Sequence, residues 1–227
     1  MRKTDPDLAF DDDLFTGEPD EPDDDEDALE TARSLKYARR MDRADAKRIM
    51  VKALHSESLA SLFPTLPDHG TSCHVVNNGK SDFWALVPHL LTLTGPAYLW
   101  ASTWILNRNN ALELLDLLDT GKLLSTVLLS GTYFKNREPA VYAVVAEGFL
   151  LRHQRFLAFQ NHAKIICLIN DTAAIVVEGS ANFTANPRLE QYVLTHDRSL
   201  AEFHKSWMEE MIRHGHTAER GRGWRPT

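Results

Sequence analysis

Two apolar runs set the tightest limit on how this chain folds: "AKIICLI" at 163–169 and "AAIVVEG" at 173–179, joined by "NDT". A strand with one wet face alternates apolar and polar residues, whereas an unbroken apolar run of this length reads as a strand buried on both faces. The short Asn-Asp-Thr link predicts a hairpin between the two. Such a hairpin belongs in the middle of a sheet, and something has to cover the sheet on each side.

The neighbouring sequence supplies the cover. "DFWALVPHLLTL" (82–93), "NALELLDLLDTGKL" (110–123) and "EPAVYAVVAEGFLLRH" (138–153) read as helices. "PAYLWASTWI" (96–105), "LSTVLLSG" (124–131), "RFLAFQ" (155–160) and "QYVLT" (191–195) read as strands. "SLAEFHKSWMEEMI" (199–212) closes the series as a helix, with Ser199 and Glu202 as a capping box and Leu200, Phe203, Trp207 and Met211 as its inner face. The expected class is α/β, a mixed central β-sheet covered by helices on both faces. Residues 29–63 lack Gly and Pro until Pro64, are rich in Arg and Lys, and predict an N-terminal helical extension. The stretch "DHGTSCHVVNNGKSD" (68–82) reads as loop with one short strand. The expected organisation is an acidic disordered tail at 1–28, a helix and linker at 29–80, the main domain at 81–213 and a basic tail at 214–227.

Charge is distributed unevenly. The net charge is -7, but residues 1–30 hold 14 acidic and 2 basic side chains, leaving the body with 18 acidic and 23 basic. An acidic tail on a basic body serves as a solubiliser or competes with nucleic acid for the body. Through Leu14 and Phe15 it could equally dock a protein partner. Two cysteines, Cys73 and Cys167, make no disulfide framework, and the acidic N-terminus is unlike a secretory signal. The apolar runs are too short for a bilayer. These features predict a cytoplasmic protein without membrane contact. The sequence shows no convincing cluster of metal ligands, and no cofactor or metal is expected.

Polar residues gather at the ends of the apolar hairpin. His162 and Lys164 are two apart, so on an extended chain they share a face. After the second strand come Gly179, Ser180 and Asn182, and Glu190 precedes the next strand. Gly179 would permit a tight turn whose N–H groups form an anion nest. An imidazole, an ammonium, a hydroxyl, an amide and a carboxylate together make a phosphate site.

The stretch "HAKIICLINDTAAIVVEGSANFT" resembles the His-x-Lys … Gly-Ser-x-Asn motif of the phospholipase D-like superfamily. The strand–helix–strand pattern upstream and "LEQYVL" downstream extend the resemblance over roughly residues 95–212. The position five after Lys164, commonly aspartate in that family, is Ile169, and the nearest aspartate is Asp171. The resemblance implies a phosphohistidine mechanism, with His162 as nucleophile or acid. Lys164 and Asn182 would hold phosphate oxygens together with Gly179 and Ser180, and Glu190 would orient His162. It implies a metal-independent phosphodiesterase, foremost a nuclease acting on DNA or RNA. The alternatives are a non-catalytic binding module for nucleic acid or protein, and a phospholipid hydrolase or phosphatidyltransferase. A single His-x-Lys implies a homodimer of the small endonuclease type with a composite site on the two-fold axis. Arg108, Lys135, Arg137 and Arg188 are candidate contacts to a nucleic-acid backbone, and Trp100 and Trp104 are expected in the core.

Overall fold

A computed structural model describes residues 37–44, 47–54, 59–77, 83–184 and 189–218. The tail expected at 1–28 and Arg188 lie outside the described residues. In chain order the elements are β1 (Tyr37–Ala44), β2 (Lys47–Leu54), α1 (Leu59–Leu62), β3 (Ser72–Asn77) and a 3-10 turn (Phe83–Ala85) leading into α2 (Leu86–Thr94). Next come β4 (Ala97–Thr103), α3 (Arg108–Asp119), β5 (Leu123–Gly131), α4 (Thr132–Arg137), α5 (Pro139–Leu151) and β6 (Arg155–Phe159). The chain continues through β7 (Ile165–Ile169), β8 (Ala174–Gly179), β9 (Glu190–His196) and α6 (Arg198–Ala218).

The strands form one mixed sheet in the order β2-β1-β3-β9-β8-β7-β4-β5-β6. The pairs β4–β5 and β5–β6 are parallel and each crosses over through helices. The β7–β8 hairpin is antiparallel and sits between β9 and β4, as its unbroken apolar runs require. Its turn is built by Asn170, whose Oδ1 accepts from the Thr172 and Ala173 N–H groups at 3.0 and 2.8 Å.

Alternate residues of each central strand enter different cores. On one face Leu99, Ala101, Leu128, Ile166, Leu168, Ile175 and Val177 pack with Leu86 and Leu90 of α2, Leu114 of α3, and Val145 and Phe149 of α5. On the other face Trp100, Val127, Leu129, Ile165, Cys167, Ile169 and Val176 meet Ala201, Met208 and Ile212 of α6. Each fully buried aliphatic or aromatic side chain of this kind contributes about 1.5–3 kcal/mol. The α/β sheet with helices on both faces is thus observed. Among the described residues, no helix is long and apolar enough to cross a membrane.

The N-terminal helix, the cap of α6 and the end of α6 need correction. The helical extension is absent where the chain is described: Tyr37–Ala44 and Lys47–Leu54 are strands paired antiparallel, and the first also pairs antiparallel with β3. Helix propensity is a weak local preference, and β3 offers an open edge of backbone donors and acceptors that pairing satisfies. The one short strand expected within 68–82 is β3, paired with β9 from Ser72↔Thr195 to Asn77↔Glu190. In α6 the cap is Asp197, not Ser199: its Oδ1 accepts from Ser199 N at 2.7 Å and Leu200 N at 3.1 Å, and hydrogen bonding from Ser199 holds its carboxyl below the usual range. Leu200, Trp207 and Met211 pack against the sheet as expected, alongside the buried Ala201, Met208 and Ile212, whereas Phe203 is 61% exposed. The helix also runs to Ala218, into the segment expected as a tail.

Candidate active site

The hairpin delivers its polar residues to one end of the sheet. Because β7 runs antiparallel to β4, the residues before Ile165 lie beside the end of β4, with Ser102 opposite Ile165. A knot of hydrogen bonds fixes this bend. Asn161 Nδ2 donates to Ser102 Oγ at 2.9 Å, Ser102 Oγ donates to Ala163 O at 3.0 Å, and Ala163 N donates to Asn161 Oδ1 at 3.1 Å. Ser102 is fully buried. The next residue is therefore Lys164 at a defined position, joined to β8 by the Gly179 N–H, which donates to Lys164 O at 3.1 Å.

Lys164 is 7% exposed and curls back on its own strand. Its Nζ lies 2.7 Å from His162 Nδ1 and donates to His162 O at 2.8 Å. His162 itself is exposed. Burial pushes the Lys164 ammonium below its ordinary value, and the Glu190 carboxylate opposes that shift. Desolvation first, and the Lys164 charge second, push His162 below its ordinary value of 6.5. A neutral, exposed imidazole next to a buried cation results. This pairing suits a nucleophile or base whose substrate carries the negative charge that the cation lacks.

The other half of the constellation is arranged differently from the expectation. Glu190 accepts a hydrogen bond from Ser180 Oγ, not from His162. Ser180 Oγ also accepts from Gln191 N at 3.1 Å. The imidazole is thus held by Lys164, and Glu190 acts on Lys164 through its field. The anion nest is not formed. The N–H of Gly179 is spent on Lys164 O and that of Ser180 on Gln191 O, at 3.1 and 3.0 Å. Gly179 is needed for a packing reason instead: a Cβ there would come within 2.9 Å of Tyr192 Cβ and 3.0 Å of Gln191 O. Asn182 spends its carbonyl, whose Oδ1 accepts from Trp104 N at 3.3 Å. Ile169 faces the α6 core at 6% exposure, opposite to Ile166 and Leu168, and Asp171 lies beyond the other end of β7. Neither position can reach His162 as the strand runs.

Trp100 is in the core, where its Nε1 donates to Glu209 Oε1 at 2.8 Å. Trp104 is not. It is half-buried just past β4, with its ring centroid 5.2 Å from that of His162 and 4.3 Å from that of Tyr133, near-parallel to the latter at 18°. The expectation that Trp104 is a core residue fails because β4 ends at Thr103, and the alternation of its faces ends with it. Tyr133 was missed altogether; its one signal is the Gly131 that precedes its helix and makes room for the indole. Of the basic candidates, Arg108 opens α3, while Lys135 and Arg137 close α4; all three are exposed. Among the described residues, no group of three or more His, Cys, Asp or Glu is placed to hold a metal ion.

No family model matches the chain, and no curated protein matches it. Among solved structures it is similar to a polyphosphate kinase from Porphyromonas gingivalis, at 10% identity and a TM-score of 0.47. The match covers 62% of this chain and 25% of that one, so this chain spans about a quarter of the kinase's length. The family expectation is corrected accordingly. The His-x-Lys resemblance to the small dimeric endonucleases of the phospholipase D-like superfamily has no matching family model or curated relative behind it, and the solved structure is a kinase at a likeness too slight to bear on function.

Proposed function

We propose that the protein is a metal-independent phosphodiesterase acting on DNA or RNA through a phosphohistidine at His162. One observation carries this reading: the buried Lys164 ammonium lies 2.7 Å from the ring of the exposed His162. A neutral imidazole has one nitrogen lone pair, which Lys164 releases when its ammonium turns to a phosphate, and Lys164 supplies the positive charge that stabilises a phosphoryl group gaining negative charge.

The steps balance with two histidines. His162 attacks phosphorus in line, forming the P–N bond as the P–O bond to the leaving strand breaks. The leaving oxygen takes a proton from a second imidazole, which the partner's His162 provides in a homodimer with a composite site. Water, giving its proton back to that second imidazole, then attacks phosphorus and the P–N bond breaks. Lys164 binds non-bridging oxygens throughout. Asn182 presents its amide nitrogen, its oxygen being bound to Trp104. Ser180 holds Glu190, whose charge favours the ammonium form of Lys164.

The test is cleavage of plasmid and single-stranded DNA by the full chain in excess EDTA. EDTA-resistant cleavage that His162→Ala abolishes, from a species sedimenting as a dimer, supports the reading. Nucleic-acid binding with no cleavage, indifferent to His162→Ala, would replace it with a binding module. A strict monomer that still cleaves would remove the composite site.

A further inference from the structure

We infer that the Trp104–Tyr133 ring pair stacks a nucleobase next to the phosphate held at His162, so that the substrate is an unpaired nucleic-acid strand. This rests on the phosphodiesterase reading for its phosphate and on separate observations for its base. The two rings lie near-parallel with centroids 4.3 Å apart, and both residues keep part of their surface in solvent. The indole is also in ring contact with His162 at 5.2 Å. A phosphate on the imidazole therefore leaves its own base, or the next one, at this aromatic edge.

The backbone that carries the indole is tied down on both sides. Its residue's N–H donates to Asn182 Oδ1 at 3.3 Å, and its carbonyl accepts from Gly131 N at 3.1 Å. Gly131 leaves room for it, since a Cβ at that position would fall 2.3 Å from Trp104 Cδ1. Asn182 thus fixes the backbone that carries the ring, and the ring itself is confined between Gly131, Tyr133 and His162. A rigid, partly exposed aromatic surface gives stacking at little cost in side-chain freedom. In a duplex each base already has neighbours on both faces, and a phospholipid has no π face to offer. An unpaired strand has both a free base and a phosphodiester. Lys135 and Arg137 extend from the same short helix as Tyr133 and add sequence-independent contacts to the backbone.

The experiment compares kcat/KM, in excess EDTA, for oligothymidylate, a stable abasic strand of equal length and a duplex of equal length. It uses the wild-type chain, Tyr133→Leu and Tyr133→Phe. Binding of the same three nucleic acids is read by quenching of indole fluorescence, and a thermal melt checks that each variant is folded. Wild type should favour the base-bearing single strand over the abasic one by on the order of fivefold to a hundredfold. Tyr133→Leu should bring that ratio toward one, and Tyr133→Phe should restore it. A wild-type ratio near one, or a ratio that Tyr133→Leu leaves unchanged, overturns the inference while leaving the phosphodiesterase reading intact. If wild type cleaves no strand, the phosphodiesterase reading fails, and the ratio of binding constants decides the stacking by the same criterion.

Discussion

Replacing Lys164 by Met separates catalysis from stability in a way that few substitutions allow. The two side chains have similar length, and Lys164 is 7% exposed, so methionine fits the same channel. Two effects on stability oppose each other. The variant loses the charged hydrogen bond from Nζ to His162 O at 2.8 Å, worth about 1.5–3 kcal/mol, although His162 is exposed and water can take over that carbonyl. It also removes a buried cation whose depressed ionisation shows that burial disfavours its charge. The net change should fall within about 1 kcal/mol, a shift of roughly 2–4 °C in Tm for a chain of this size. Activity should fall by about 10²–10³, the usual cost of removing one preorganised donor from a charge-developing transition state.

The sign with pH follows from linkage. A lysine whose folded-state value lies below its ordinary 10.5 destabilises the fold while both states are protonated. As pH rises through the folded value, the folded chain sheds its proton first and the penalty disappears. The stability of Lys164→Met relative to wild type should therefore be highest near neutrality and decline toward pH 10.5. Differential scanning fluorimetry across pH, with EDTA-resistant nuclease assays, measures both quantities. A Tm drop above 10 °C, or an activity loss under tenfold, would refute the reasoning and make Lys164 a structural residue.

Other outcomes are expected from the same geometry. The kcat/KM profile against pH should be bell-shaped with its maximum below 6.5, because His162 titrates below that value and the composite site needs one neutral and one protonated copy; a maximum above pH 7.5 contradicts the shift. Lys164→Met should move the His162 C2–H titration in NMR upward, since the Lys164 charge contributes to its depression. Gly131→Ala should cost about 1–3 kcal/mol by forcing the Trp104 indole aside, seen as a lower midpoint in urea. Removal of residues 1–28, which carry most of the acidic excess, should strengthen DNA binding most at low salt, as measured by fluorescence anisotropy.

The reading from residues succeeded where local pattern and global demand coincide. The runs around Cys167 and Val176 could only be central strands, and both are buried in the two-layer core as that pattern requires. It failed at residues 37–54, where Arg- and Lys-rich sequence without Gly or Pro suits a helix in isolation. There the deciding quantity was an open β3 edge more than 20 residues away. In the site, the pairing of His162 with Lys164 was legible because two residues of one short segment need no tertiary information to meet.

Sequence alone determined the sheet's centre, the alternation of strands and helices, and the presence of His162 and Lys164 at one end of the hairpin. Each of these follows from periodicity, which is a property of neighbours in the chain. Only the tertiary structure decided the rest: that Glu190 bonds Ser180 instead of His162, that the N–H groups at 179 and 180 are spent in the sheet, and that Trp104 leaves the core to lie against Tyr133 and His162. Those outcomes depend on the register between strands and on whether a Cβ fits at Gly131 or Gly179, distances set by residues far apart in the sequence.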